Sequence, residues 1–221
     1  MYHHQKERCP RCKLHLELCI CAQIPKISTA TRLLLVIHAQ EIAKPSNSGW
    51  LACDVLPNSE MRVRGEHDKP LVTEGMDRSD YQNILLYPDT DAEELSESFL
   101  EKLATNAGAK KPVQLIVPDG TWGQARRTGA RISAAFPKIP HAKLPFLGES
   151  QYRLRKETNI EGLSTFEAIA RAFGILEGKK VQEEMEKIFF TMVERLLFIR
   201  GKLDEKERAE FLLRNPAAKQ N

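Results

Sequence analysis

The apolar positions along this chain follow two periods. Residues 31–37 (TRLLLVI), 83–87 (NILLY) and 113–117 (VQLIV) are nearly continuous aliphatic runs of strand length. Strands that lack polar alternation are covered on both faces, as in parallel sheets. Weaker strands are predicted at 61–64 and within 141–146. Between them the period lengthens. A helix capped by Ser46 or Asn47 is predicted through Trp50, Leu51 and Val55. A second spans 91–104, with Leu95, Phe99, Leu100 and Leu103 on one face and acids early. Ser164 to Glu167 (STFE) is a capping box that opens another helix. Residues 181–213 read as a long amphipathic helix and a shorter one, broken near Gly201, with a core-packing stripe of Met185, Ile188, Phe189, Met192, Val193, Leu196 and Leu197. Residues 215–221 read as a frayed tail. Strands alternating with helices predict an α/β fold with a mostly parallel sheet and flanking helices.

The densest chemistry lies at 113–127, VQLIVPDGTWGQARR. The aliphatic run stops at Pro118, Asp119-Gly120 makes a turn, and Thr121 can cap the following helix. In open α/β sheets the carboxyl edge of the strands is where ligands bind. A carboxylate (Asp119), a hydroxyl (Thr121), an aromatic (Trp122) and two guanidinium groups (Arg126, Arg127) therefore share a ligand-binding edge. Turn, cap and core roles account for Asp119, Thr121 and Trp122 on spacing alone.

With 42% hydrophobic and 29% charged residues in 221, the chain can bury one good core. No run approaches a membrane span and MYHHQKERCPRC has no signal-peptide core, so a cytoplasmic location is expected. The net charge of +3 decides little, whereas its distribution does. From Trp122 to Lys156 the cations Arg126, Arg127, Arg131, Lys138, Lys143, Arg153, Arg155 and Lys156 face one acid, Glu149. A polyanion is the partner such a block suits, a solvated basic face being the plainer reading. No phosphate-binding G-x-x-x-x-G-K-[ST] or G-x-G-x-x-G occurs.

Near the N-terminus, Cys9, Cys12, Cys19 and Cys21 form C-x-x-C followed by C-x-C. In a reducing compartment such pairs bind metal more often than they form disulfides, and four thiolates suit tetrahedral zinc with no open position. The metal would be structural. Free thiols or a redox pair remain alternatives, and Cys53 reads as core.

The string DGTW followed by QARR resembles the signature of the DTW-domain family, named for the residues found here as Asp119, Thr121 and Trp122. Other blocks extend the resemblance over most of the chain. HAQEIAKPSNS at 38–48 is similar to a family block with His, Glu, a basic residue and Asn-Thr, Ser48 standing for the Thr. The string from Tyr152 through LSTFEAIA and the cysteine cluster are also similar. Family members resemble tRNA-uridine aminocarboxypropyltransferases, which move the 3-amino-3-carboxypropyl group of S-adenosylmethionine (SAM) to uridine N3. The resemblance implies a SPOUT-like fold with a C-terminal trefoil knot, a zinc knuckle at 1–27 and a catalytic domain at 28–221. It implies Asp119 as the catalytic base, and Pro118, Gly120, Thr121, Trp122, Arg153, Leu163, Ser164, Thr165 and Glu167 around SAM. His38, Lys44, Arg126, Arg127, Arg131 and Arg155 are expected on the tRNA. Local capping explains Ser164 and Glu167 without a ligand, and a strand-end hydrogen bond explains His38. A SPOUT-type RNA methyltransferase and a non-catalytic zinc-containing RNA-binding protein are the alternative functions.

Overall fold

Leu33 and Leu35 project to one side of the first strand, Leu34 and Val36 to the other, and all four are fully buried. That two-sided burial makes β1 (Arg32–His38) a central strand of a six-stranded sheet. The computed structural model describes residues 7–66, 69–107, 111–146, 148, 150–154 and 162–220. After β1 come α1 (Ala39–Ile42), α2 (Gly49–Val55), β2 (Ser59–Arg64), β3 (Gln82–Leu86), β4 (Glu93–Glu94) and α3 (Glu97–Ala107). The chain continues with β5 (Val113–Asp119), α4 (Trp122–Ala135), β6 (His141–Lys143), α5 (Thr165–Glu177), α6 (Lys179–Ile199) and α7 (Glu205–Arg214). The sheet order is β2-β1-β5-β3-β6-β4 and every pairing is parallel.

This order has a switch point. The chain leaves β1 for β2 on one side and leaves β5 for β6 on the other, so the connections after these two neighbours diverge. They also take opposite faces. Leu51, Ala52 and Val55 of α2 pack with Leu33, Leu35, Leu115 and Val117, together with Phe166 and Phe173 of α5 and Phe189 of α6. Ile132 of α4 packs on the other face with Leu34, Val36, Leu85 and Ile116. A crevice therefore opens between the carboxyl ends of β1 and β5, where doubly wound sheets hold ligands.

Three expectations change. The helix predicted from 91 begins at Glu97, because residues 93–94 pair with β6 at the sheet edge and the Ser96 hydroxyl accepts from the Phe99 amide (3.3 Å). The central strand runs through Pro118 to Asp119, paired with Val36 and Ile37, so the turn starts one residue later than expected. The tail does not fray: Pro216–Gln220 form a 3-10 turn, and Ala218 is buried against Leu18 and Phe211.

The N-terminal segment is bound into the same molecule. Cys9, Cys12, Leu14 and Ile20 belong to the core that contains Leu33 and Phe166. Arg195 interrupts the apolar stripe of α6, and its buried Nη1 donates to the Leu18 and Cys19 carbonyls at 2.9 and 2.8 Å. Arg11 grips Asp54 with two parallel bonds of 2.8 and 2.6 Å, the geometry in which a surface ion pair gains most. Among the described residues no helix is long and apolar enough to cross a membrane.

Phe211 joins both chain ends. It is fully buried between Leu18 and Ala218 and stacks on Phe198 with ring centroids 4.3 Å apart. Phe211→Ala should cost about 3 kcal/mol of unfolding free energy, the low end for a buried ring because a site at the molecular edge can partly collapse. Chemical denaturation checks this; a loss below about 0.5 kcal/mol, the ordinary surface range, would show the docking to be idle.

Candidate functional site at the sheet switch point

Asp119 ends β5 and is 3% exposed. A buried carboxylate needs donors, and two come from distant parts of the chain. Asn47 Nδ2, in the loop before α2, donates to Oδ2 at 2.7 Å, and Thr165 Oγ1, the first residue of α5, donates to Oδ1. Gly49 passes so close that a Cβ there would lie 2.5 Å from Oδ2. Next to it the Ser48 hydroxyl accepts from the Phe166 amide at 3.3 Å. The loops after β1 and β5 and the start of α5 thus converge on one carboxylate.

Around it lies a cavity of about 860 Å³. Of the residues expected around a ligand, Pro118, Asp119, Gly120, Thr121, Trp122, Leu163, Ser164 and Thr165 line it. Thr121 caps α4 in a box with Gln124, and Ser164 caps α5 in a box with Glu167. Both helices therefore point their amino ends toward the cavity, where backbone N–H groups and the helix dipole favour negative charge. Trp122 lines it while 45% exposed, so it is no core residue.

Two expected residues sit elsewhere. Arg153 makes a fork with Glu207 of α7 and is outside the cavity lining, since that carboxylate supplies the partner expected from a ligand. Glu167 is buried and turned away. Its oxygens accept from the Ser164 amide (3.0 Å), the Gln151 amide (2.8 Å) and the Ser150 hydroxyl (2.8 Å), so it fixes the segment before α5. Tyr152, which opens the third family-like block, also lines the cavity, as do Tyr87, Phe146 and Arg171, which the sequence did not single out. Arg171 carried no local signal, since at 100° per residue it lies across α5 from the apolar stripe of Phe166, Ile169, Ala170 and Phe173. It is 7% exposed and donates to the Gly148 carbonyl at 2.7 Å. Tyr152 stacks on Phe189 and donates its hydroxyl to the Ser46 carbonyl, holding the α5 approach against the β1 loop.

The expected RNA contacts divide. His38 ends β1, and its Nδ1 accepts from the Gln40 amide and from Gln124 Nε2, both at 3.3 Å, which leaves the ring proton on Nε2. Burial lowers its pKa, and Arg64 lowers it further. Lys44 pairs with the buried Glu41 at 2.6 Å. Arg126, Arg127 and Arg131 are exposed on α4 and form no ion pair among the described residues. Arg155 lies outside the described residues.

A second site lies in the N-terminal segment. The sulfurs of Cys9, Cys12, Cys19 and Cys21 all fall within 4.8 Å of one another, with Cys9–Cys21 and Cys12–Cys19 at 3.7 Å. A zinc tetrahedron with Zn–S bonds of about 2.3 Å has edges of about 3.8 Å, so the donor set fits the ion. The Cys12 amide and the Arg11 amide stabilise the Cys9 thiolate and bring its pKa down to about 6, while burial pushes the Cys12 and Cys21 thiols up. Crowded buried thiols resist losing successive protons, and a divalent cation supplies the missing charge. Changing all four cysteines to Ser should abolish about one zinc per chain, and chelation should lower the thermal midpoint of the whole protein because Cys9 and Cys12 share its main core. Metal analysis of untagged protein with a melting curve checks both; stoichiometric zinc in the Ser variant would refute the assignment.

The switch-point cavity and the cysteine cluster can be set beside known proteins. The tRNA-uridine aminocarboxypropyltransferase 2 of Macaca fascicularis is 26% identical over 187 residues, covering 81% of this chain and 60% of that protein. The protein of the same name from Mus musculus is 28% identical over 189 residues, with the same coverage, so the chain spans 60% of the length of these two relatives. That of Drosophila melanogaster is 26% identical over 222 residues, covering 96% of this chain and 82% of that protein. No solved structure matches. The family model described as DTW domain matches residues 6–197, which take in the cysteine cluster, the switch point, α5 and most of α6, and the chain belongs to the DTW-domain family.

Proposed function

We propose that this chain is a tRNA-uridine aminocarboxypropyltransferase that uses SAM as donor and uridine N3 as acceptor. The observation that carries the reading is one cavity that gathers Asp119, Thr121 and Trp122 with the amino end of α5 at the sheet switch point. The names of the relatives agree with it. So does the character of the walls. Trp122 and Phe146, 45% and 69% exposed, are large apolar rings at the cavity, suited to stacking a nucleobase or adenine. The Ser164 hydroxyl, which accepts the Glu167 amide and keeps a proton to donate, and the positive end of α5 suit the SAM carboxylate, with Arg171 a guanidinium in the same lining. The exposed cations of α4 take the tRNA backbone, together with His38, Lys44 and Arg155.

In this reading, Asp119 is the base. Uridine N3 is a poor nucleophile while protonated. Its proton passes to an Asp119 oxygen, N3 forms a bond to the γ-carbon of the aminocarboxypropyl group, and the carbon–sulfur bond breaks with its electron pair remaining on sulfur. 5′-Methylthioadenosine leaves. Asn47 and Thr165 each occupy one lone-pair direction of the carboxylate and hold it in place for the transfer. The zinc site is structural and does no chemistry. The all-parallel sheet, with α5 closing over its carboxyl edge, supports a SPOUT-like arrangement with a C-terminal knot over a catalytic domain at 28–221. A tRNA-modifying role agrees with a cytoplasmic location.

Asp119→Asn should bind SAM about as well as the parent and transfer at least about a hundredfold more slowly. Single-turnover transfer to tRNA from SAM labelled in the carboxypropyl carbons, with binding by calorimetry, checks this. Near-parental transfer would remove Asp119 as base, and lost SAM binding would make it a positioning residue. A parallel incubation with methyl-labelled SAM excludes methylation if no label reaches RNA.

A further inference from the structure

Arg64 is the last residue of the edge strand β2, paired in register with His38 on β1. Register partners in neighbouring strands project to the same face, which here is the side covered by α4. The residue is 5% exposed, yet its Nε and Nη1 are buried with no hydrogen-bond partner. No described group bonds the guanidinium at all, so Nη2 is the nitrogen it keeps at the surface. A charged donor fork left unmatched inside a fold is costly, and the cost is not relieved by a carboxylate. Two more guanidinium groups bear on it. Arg127 and Arg131, one turn apart on α4, are exposed and unpaired among the described residues. The charges of Arg131 and Arg127 act on Arg64 strongly enough to lower its pKa beyond the effect of burial, which comes first. The strand end is kept tight beside it: Gly65, at φ 81°, lies where a Cβ would stand 2.5 Å from His38 Nε2.

We infer that Arg64, Arg127 and Arg131 form a phosphate-binding site for the RNA backbone, on the α4 side of the same sheet edge that carries Asp119. The proposal rests on the aminocarboxypropyltransferase reading for the identity of the RNA. Three guanidinium groups on the α4 side, acting on one another without an intervening acid, suit a phosphodiester, which accepts from several N–H donors at once. Two strand spacings, roughly 10 Å, separate the ends of β2 and β5, so a phosphate held here belongs to a nucleotide close to the one in the cavity. Arg64 enters the complex already desolvated and fixed by the strand, and it anchors the register of the RNA. Arg127 and Arg131 close over the phosphate from the exposed face.

The test is equilibrium binding of a tRNA transcript to full-length protein over a salt series, with SAM affinity and the melting midpoint measured beside it. Arg64→Met should weaken tRNA binding by tenfold or more, as loss of a charge-assisted contact does at about 1.4 kcal/mol per tenfold, and lower the slope of log K against log salt by about 0.7 to 0.9. SAM affinity and the melting midpoint should not fall. Arg64→Lys, which keeps a charge without the fork, should restore the slope and only part of the affinity. Parental slope and affinity in Arg64→Met would overturn the phosphate site while leaving the transfer reaction standing. A lowered slope in a protein that transfers no aminocarboxypropyl group would do the reverse. Should Met at 64 not fold, Arg127→Ala with Arg131→Ala reads the same site from exposed positions, and an unchanged slope there overturns it.

Discussion

A carboxylate buried at the end of a parallel strand is the constraint on which the rest of this site depends. Asp119 is stabilised at that depth by Asn47, 72 residues earlier, and Thr165, 46 residues later, which both donate to it. Satisfying it fixes where the loop after β1 must run and where α5 must begin. The approach is close enough to demand glycine at 49, since any Cβ would collide with the carboxylate. The Ser48 hydroxyl then meets the Phe166 amide, so the same loop takes up a donor at the start of α5. The polar contacts and the apolar packing agree: Leu51 and Phe166, on either side of these bonds, lie in one core. Removing either donor would leave one oxygen of a largely buried carboxylate less well satisfied, which ties the shape of the cavity to the folding of the α2 and α5 face.

What the sequence made legible is what local rules govern. The aliphatic runs at 31–37, 83–87 and 113–117 became the three central strands, because a strand buried on both faces leaves no polar alternation. Thr121 and Ser164 declared their helices through hydroxyls that accept amides three residues on. The misses are all nonlocal. Glu93 and Glu94 carry a helical pattern but are taken by the edge of β6, and Ala218 is held by a leucine two hundred residues away. Arg153 looked free for a ligand because Glu207 is distant in sequence. Ser46 or Asn47 was expected to cap α2, but its N-cap is Ser48 without a side-chain cap bond, and Asn47, which accepts the Trp50 amide at 3.4 Å, gave no sign of its bond to Asp119. The family resemblance supplied what spacing could not, that Asp119, Thr121 and the 163–165 segment belong together. It gave no hint of Arg64.

The two sides of the sheet edge are electrostatically different, and the switch point is the reason. Odd positions at the end of β5 face α5, where Asp119 takes hydroxyl and amide donors. The register partners His38 and Arg64 face α4, where cations gather and His38 is held neutral by burial and by Arg64 itself. A ligand that lies across the edge meets an acceptor on one side and donors on the other. That polarity suits a nucleotide, with a base N–H to give up and a phosphate to be held. A simple basic groove would offer only the second.

Several departures from folding economy lie at the same edge. Elsewhere the chain is consistent across levels: a charge inside an apolar stripe, Arg195, finds two carbonyls, and the buried Glu167 finds three donors. At the carboxyl edge Trp122 and Phe146 stay exposed, Arg64 stays buried without a partner, and two helices aim their positive ends into the same void. Each of these lowers the stability of the isolated protein, and a sequence selected only to fold would replace them one at a time. Trp122 and Phe146 differ from the exposed Val72 and Leu213 in lining a cavity, which gives their exposure a use in binding. The edge suits something flat, anionic and large enough to touch both faces at once.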